Sequence, residues 1–277
     1  FIAVQIDAQN WEWASHVTGT NNIGAEAMAR DANDNLYVGG LRRGTITFVD
    51  SDPLLELTST ATNNTPLFAK YDPDGTLEWG LGFGDNLASN LKDIHVDADG
   101  NIYVVGSHRG TSADPFIIRS TDNNNSSHVT RGLFDLYLAK YNSDGILQFA
   151  TDYGSTSTDR FQGVTTDANG NIIVTGFWNG GEIDFGNDVK ITAVGTPNAF
   201  LTKLNSSGVA QWAVGFSGDW VRIESSVSTC QEEGFIAAIN FRGSVDIPGH
   251  GTITATNPSP TTKNEQVFVK VDNFGTV

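Results

Sequence analysis

Three short motifs recur along this chain at one common spacing, and that recurrence restricts the fold more than any other property of the sequence. DANDNLYV at 31–38, DADGNIYV at 97–104 and DANGNIIV at 167–174 place Asp31, Asp97 and Asp167 at intervals of 66 and 70 residues. LFAKYDPDG (67–75), LYLAKYNSDG (136–145), AFLTKLNSSG (199–208) and VFVKVDNFG (267–275) carry Lys70, Lys140, Lys203 and Lys270, spaced by 70, 63 and 67. WEWASH, LEWGLGF, LQFATDY and AQWAVGF bring Trp13, Trp79, Phe149 and Trp212 into the same register. Self-similarity at a fixed period is the mark of stacked supersecondary units, each too small to bury its own faces.

Each unit divides into four strand-like runs rich in Val, Ile, Tyr and Phe, separated by Gly, Asn and Asp. In the clearest copy, strand A is GVTTD (163–167), strand B NIIVTGFW (171–178), strand C AFLTKLN (199–205) and strand D VAQWAVGF (209–216). A longer excursion between B and C, GEIDFGNDVKITAV, reads as an extra hairpin, and the polar stretch TDNNNSSHVT (121–130) as a mobile one. Four antiparallel strands per repeat predict an all-β fold, a β-propeller of four-stranded blades with a repeat of about 66 residues. The in-register aromatics are expected between blades. The lysines alternate with apolar residues on strand C and are expected at solvent. The organisation is one propeller-type domain over 1–277: a partial blade 1–18, blades at about 23–84, 91–154 and 161–217, and a partial blade 221–277. The fourth unit replaces the acidic turn with CQEEG (230–234), and FIAVQID, with Gln5 in the lysine's place, opens the chain as a degenerate strand C. The chain begins with Phe1 and both ends fall mid-repeat, which predicts a processed or excised piece of a longer array. A four-blade ring closed through the N-terminal strands is the alternative.

DANGNIIVTG, DADGNIYVVG, AFLTKLNSSG and LFAKYDPDGTLEW resemble the β-propeller repeats called SBBP, which are common in secreted and surface proteins of bacteria and archaea. The resemblance covers nearly the whole chain. It implies a propeller fold and an extracellular or cell-surface location, and it implies no particular activity. The repeats here are longer than is usual in that family.

The acidic turn admits two readings. Asp97, Asp99 and Asn101 in DADGN, and Asp72 and Asp74 in DPDG, alternate as calcium ligands do, yet no distal bidentate Glu follows as in an EF-hand loop. Asp and Asn also build tight turns through side-chain to backbone hydrogen bonds, with Gly100 or Gly170 supplying a positive φ. The turn explains more of the pattern, and calcium remains the weaker expectation. At the far ends of strand B, RRG, HRG, WNG and FRG align Arg43, Arg109 and Arg242, with Asn179 as the exception, and the D–A connections add Asp159, Arg160, Asp219 and Trp220. In propellers these connections share one face, so they mark a candidate ligand face by analogy of fold. Arginine there could grip carboxylates. Trp178 and Trp220 stand outside the core register and could stack on sugar rings, with Trp11 as a third candidate. Glycosylation sequons occur at Asn63, Asn124, Asn125 and Asn205.

Composition closes off other classes. With 32 acidic against 16 basic residues, the formal net charge is −16, and no Lys/Arg run exists to meet nucleic acid or anionic lipid. No apolar run is long enough for a membrane-spanning helix. Cys230 is the only cysteine, so no internal disulfide can form. The five histidines lack metal-ligand spacing, and no GxSxG elbow, P-loop or dinucleotide fingerprint appears, so neither enzyme nor cofactor is expected. Abundant carboxylates leave a glycosidase pair open on sequence alone. The expectation is a non-enzymatic, extracellular, structural or adhesive repeat module of a secreted or cell-surface prokaryotic protein, acting through protein partners or self-assembly in a filament. A carbohydrate-binding or carbohydrate-active propeller is the alternative.

Overall fold

A computed structural model describes residues 13–84, 86–192, 194–223, 227–230, 234–256 and 264–277. The FIAVQID segment with Gln5, Trp11, and positions 231–233 of the CQEEG turn lie outside the described residues. All regular structure within them is β-strand. After β1 (Val17–Gly19), the first unit holds β2 (Ile23–Arg30), β3 (Leu36–Arg42), β4 (Ile46–Phe48), β5 (Leu55–Leu57), β6 (Thr65–Tyr71) and β7 (Leu77–Gly82). The second holds β8 (Asn90–Val96), β9 (Ile102–His108), β10 (Phe116–Ile118), β11 (Ser126–His128), β12 (Asp135–Tyr141) and β13 (Leu147–Tyr153). The third holds β14 (Asp159–Thr166), β15 (Ile172–Trp178), β16 (Glu182–Asp184), β17 (Lys190–Thr192), β18 (Asn198–Leu204) and β19 (Ala210–Arg222). The last has β20 (Val227–Thr229), β21 (Phe235–Ile247), β22 (Gly251–Thr254) and β23 (Glu265–Val271).

The sheets follow the A–B–C–D order: β2-β3-β6-β7, β8-β9-β12-β13 and β14-β15-β18-β19, all antiparallel. Each B–C excursion is a two-stranded hairpin standing off its sheet: β4-β5, with β1 added at its edge, β10-β11 and β16-β17. The stretch 121–130, expected to be mobile, instead supplies β11, which pairs with β10 and buries His128. The last unit departs from the pattern. β19 pairs with β18 over its first half and with β21 over its second, so a continuous strand spans 217–221, where one blade was expected to end and another to begin.

The core lies between sheets rather than inside any one of them. Tyr37, Phe68, Leu91, Ile94 and Tyr141 fill the first seam; Tyr103, Leu138, Phe161, Val174 and Phe200 the second; Leu201, Phe216, Phe235, Ile239 and Val269 the third. Each wholly buried Leu or Phe contributes roughly 1.5–3 kcal/mol, so stacking of neighbours holds the array together. Every residue of β6, β9, β15 and β18 is buried. For two of the four lysines this overturns the expectation of a solvent-facing side chain, whereas Lys140 is half-buried and Lys270 on β23 is exposed as expected. Lys70 and Lys203 are each 6% exposed, because a blade covered on both faces has no solvent side for alternation to reveal. Lys70 and Lys140 lie over the rings of Tyr37 and Tyr103, and Lys203 over Phe235 of the last sheet.

The register aromatics join consecutive units through one repeated contact. Trp13, Trp79, Phe149 and Trp212 each seat beneath the C–D turn of the following unit, against Gly75, Gly145, Gly208 and Gly275. These glycines have φ of 82°, 75°, 82° and 88°, and a Cβ on Gly145 would come within 3.0 Å of the Trp79 ring. Glycine is therefore needed twice over: for the left-handed backbone and for the space the ring fills. Two of the three indoles also donate their N–H to the turn: Trp79 to the Ser143 carbonyl at 3.2 Å, Trp212 to that of Asn273 at 3.0 Å.

Candidate functional site

Strand A of each unit runs away from the B–C and D–A connections (the tip face) toward the A–B and C–D turns (the turn face). The turn face carries the repeated acidic motif, and its geometry accounts for the repetition. Asp97 Oδ1 accepts the Asp99 and Asn101 backbone N–H groups at 3.0 and 2.9 Å, while Oδ2 accepts Asn101 Nδ2–H and the Tyr103 hydroxyl, both at 2.9 Å. Asp31 repeats this set with Asn33, Asn35 and Tyr37. In the third unit Ile173 replaces the tyrosine, and the Lys203 ammonium takes the vacant place on Asp167 Oδ2 at 3.0 Å. Burial works against ionised Asp31 and Asp167, but these donors outweigh it and hold both carboxyls below their ordinary range. The same phenols, buried beside a carboxylate, are raised far above theirs. The C–D turns use a like device: Asp72, Asn142, Asn205 and Asp272 accept the N–H four residues on. At Asp97, Asp99 and Asn101, the calcium candidates, the central carboxylate is thus occupied by the turn itself. Among the described residues no group of three or more His, Cys, Asp or Glu is placed to hold a metal ion.

A cleft of about 740 Å³ opens on the turn face between the third and last units, lined by Asp167, Asn169, Lys203, Trp212, Asn273 and Phe274. Its charged floor is the Lys203–Asp167 pair, already matched.

The tip face differs. Arg43 and Arg109 follow their B strands as expected, with backbone N–H groups bonded to Asn22 and Ala88 at 3.0 and 3.1 Å, and Asn179 does the same toward Thr158 at 3.2 Å. Arg242 does not share that setting, because β21 continues through it and pairs it with Trp220. Trp178 is not a free ring. It is 1% exposed, lies edge-on to Phe200 in the second seam and donates its N–H to the Gly181 carbonyl at 3.3 Å. The Asn-Gly sequence that follows made it look like a tip residue, whereas the β16-β17 hairpin folds over it.

Trp220 is half-buried, with the Arg222 and Arg242 guanidinium carbons 4.9 and 4.3 Å from its ring. Its faces are thereby covered by cations rather than open to a sugar. These contacts extend into a ladder. Arg222 also lies 4.3 Å from the Phe177 ring, Phe177 pairs across the strands with Arg160, and Arg160 and Arg109 lie 4.8 and 5.5 Å from Phe134. Four of the nine arginines thus interleave with three aromatic rings across the second, third and last units. Burial first, and the like charge of Arg222 second, lower the pKa of Arg160. Arg242 Nε donates to Asn264 Oδ1 at 2.7 Å, and Arg160 reaches the Ser107 hydroxyl at 3.4 Å. Among the described residues, none of Arg109, Arg160 and Arg242 is paired with a carboxylate. Phe134, Phe177 and Arg222 escaped sequence reasoning. The retrievable signal was that Arg160 and Arg222 hold equivalent places on strand A, each opposite the same strand-B position.

A polar cluster lies beside this ladder, where the β10-β11 hairpin meets the second sheet. His128 Nδ1 bonds Asp152 at 2.8 Å, and Arg131 bridges Asp152 and Asp135 at 2.5 and 3.1 Å. Burial opposes ionisation of Asp152, but the bonds from His128 and Arg131 bring its carboxyl to about 2. His108 is fully buried, stacks on Phe116 at 4.7 Å with both ring nitrogens unbonded, and is pushed down to about 3 by burial. Burial raises Asp159, held by the Ser155 N–H and hydroxyl, to about 6. Of the sequons, Asn63, Asn124 and Asn125 are exposed, while Asn205 Oδ1 is engaged in its C–D turn. No helix of the described residues is long and apolar enough to cross a membrane.

Compared with models of known protein families, the chain matches none. It is 24% identical, in an alignment of 228 residues that covers 72% of its length, to an uncharacterised WD repeat-containing protein of Acanthamoeba polyphaga mimivirus, and spans 16% of that protein. With its stacked, four-stranded antiparallel sheets, the chain is a repeat protein of the β-propeller type.

Proposed function

We propose that the chain is a non-enzymatic interaction module that engages other proteins through its tip face, within a secreted or cell-surface protein of SBBP-like architecture. The observation that carries this reading is the ladder of Arg109, Arg160, Arg222 and Arg242, set with aromatic rings on a protein of net charge −16. Arginine and aromatic residues dominate the energetics of protein interfaces. The WD repeat-containing relative supports a role in contacts, and the acidic, cysteine-poor composition is compatible with an exposed location. The non-enzymatic assignment is supported by three histidines being engaged in structural bonds: His95 with Thr166, His128 with Asp152, His250 with the Val277 carbonyl. No cofactor is assigned. Trp178 and Trp220 no longer favour a lectin, since neither offers a ring face.

Self-assembly is the second element of the proposal. Phe268 on β23 is 70% exposed, while Phe68, Leu138 and Leu201 at the same register are fully buried. Among the described residues β23 pairs with β21 alone, and a strand edge of this kind can accept a further strand.

The test is adhesion of beads coated with the protein to envelope preparations of the source organism, or to its intact surface. Retention that falls when Arg109→Gln and Arg242→Gln are combined supports the proposal. Retention equal to bare beads, or unaffected by the double substitution, ends it.

A further inference from the structure

We infer that the arginine ladder recognises a short acidic peptide segment of a protein partner, an inference that rests on the tip face being the contact surface. The chemistry of the ladder sets the ligand's sign. The faces of Trp220 and Phe134 are covered by guanidinium groups, at 4.3 and 4.9 Å and at 4.8 and 5.5 Å, so the rings hold the arginines rather than meeting a ligand. Arg109 is exposed and Arg160 and Arg242 are half-buried, and beyond the bonds to Ser107 and Asn264 their guanidinium groups keep N–H donors that can meet a carboxylate. The rings fix side chains that would otherwise lose rotamer freedom on binding, which lowers the entropic cost of recognition.

The surroundings set the ligand's length. Arg160 lies opposite Phe177, on which Arg222 lies, and the like charge of Arg222 reaches Arg160. Arg109, Arg160 and Arg242 therefore lie along one run of rings joined through Arg222, with the Asp219 carboxylate beside Gly243 at its far end. Around it the protein is acidic, with 32 carboxylates to 16 basic groups. A polyanion long enough to leave that run would be repelled by the rest of the surface, at ranges up to the Debye length of about 8 Å at physiological salt. A segment bearing two or three carboxylates spans Arg109, Arg160 and Arg242 and stops. Glutamate and aspartate side chains, or the terminal carboxylate of a polypeptide, supply that group equally.

The test measures anisotropy of a fluorescein-labelled hexaglutamate peptide titrated with the intact protein at low and physiological ionic strength. Saturable binding is expected. It should weaken about tenfold with Arg109→Gln or Arg242→Gln singly, more in the double variant, and by less than twofold with Arg30→Gln. That control removes the same charge at the turn-face end of β2, where Arg30 pairs with Asp34. Circular dichroism establishes that each variant is folded. No binding at low salt, or equal weakening by Arg30→Gln, overturns the inference. An oligogalacturonate of matched charge binding more tightly than the peptide also overturns it. The bead experiment reports on the tip face separately, so a face that adheres while hexaglutamate fails to bind leaves the contact surface standing and removes only its acidic-peptide specificity.

Discussion

The two faces of this molecule are built from the same strands and obey different rules. On the turn face, chemistry repeats with the period: an Asp or Asn closes each described four-residue turn, and where Tyr37 and Tyr103 give way to Ile173, Lys203 supplies the missing donor. Carboxylates there are consumed locally. On the tip face the period lapses. Glycine, asparagine and arginine occupy equivalent strand-A positions in Gly24, Asn90, Arg160 and Arg222. The difference teaches that the repeat maintains stacking, and that the tip face is free to vary from unit to unit.

The comparison can be broken most severely at a seam. Trp79→Ala empties the seat under Gly145 and removes a hydrogen bond to Ser143; a loss of about 4 kcal/mol is expected in urea unfolding, with one cooperative transition giving way to two if the seams are independent. Next in size is His108→Phe. The unfolded imidazole titrates near its ordinary 6.5 and the folded one near 3, so the stability contributed by the neutral ring is present above pH 6.5 and lost as pH falls toward 3. Phenylalanine keeps the stack on Phe116 and does not titrate. Its melting temperature should decline less between pH 7 and pH 4, by the equivalent of roughly 3 kcal/mol. An equal decline in both proteins would show that His108 is not the buried, neutral group described.

Smaller is Lys203→Met, which strips Asp167 of its cation and should cost about 2 kcal/mol. Adding Ile173→Tyr, to reproduce the second unit's arrangement, should restore at least half; no recovery would show that lysine and tyrosine are not equivalent donors. Smallest of all, the Arg109→Gln and Arg242→Gln pair should move stability by no more than about 0.5 kcal/mol. If it instead unfolds the protein, the ladder belongs to the scaffold and the contrast between faces disappears. Chelator is expected to leave the melting temperature unchanged, since the turn already occupies Asp97.

Much of this fold was legible because its markers are backbone requirements. A left-handed glycine, an Asx turn and an aromatic that must enter a glycine's empty space all constrain residue type directly, so the Gly75, Asp97 and Trp79 positions repeat visibly. Lys70 and Lys203 were misread because alternation signals burial only for sheets with one wet face, and β6 and β18 have none. Trp178 was misread because its neighbours in sequence form a tip while its neighbours in space form a seam. The ladder was half visible. Arg43, Arg109 and Arg242 drew attention through a shared tripeptide, yet Arg242 sits in a continuous strand, and the ring under Arg109 is Phe134, which precedes another strand altogether. Contacts that do not recur from unit to unit leave no spacing to read.

The strand β19 runs for 13 residues from the outer edge of the third sheet into the last. A load applied across that junction meets unbroken backbone, whose ladders to β18 and β21 would have to slide along their length rather than open one rung at a time. The third sheet and the last are thus joined by backbone pairing rather than by side-chain packing alone. Any adjustment of shape along the array falls to the earlier seams, where separate sheets are linked by loops.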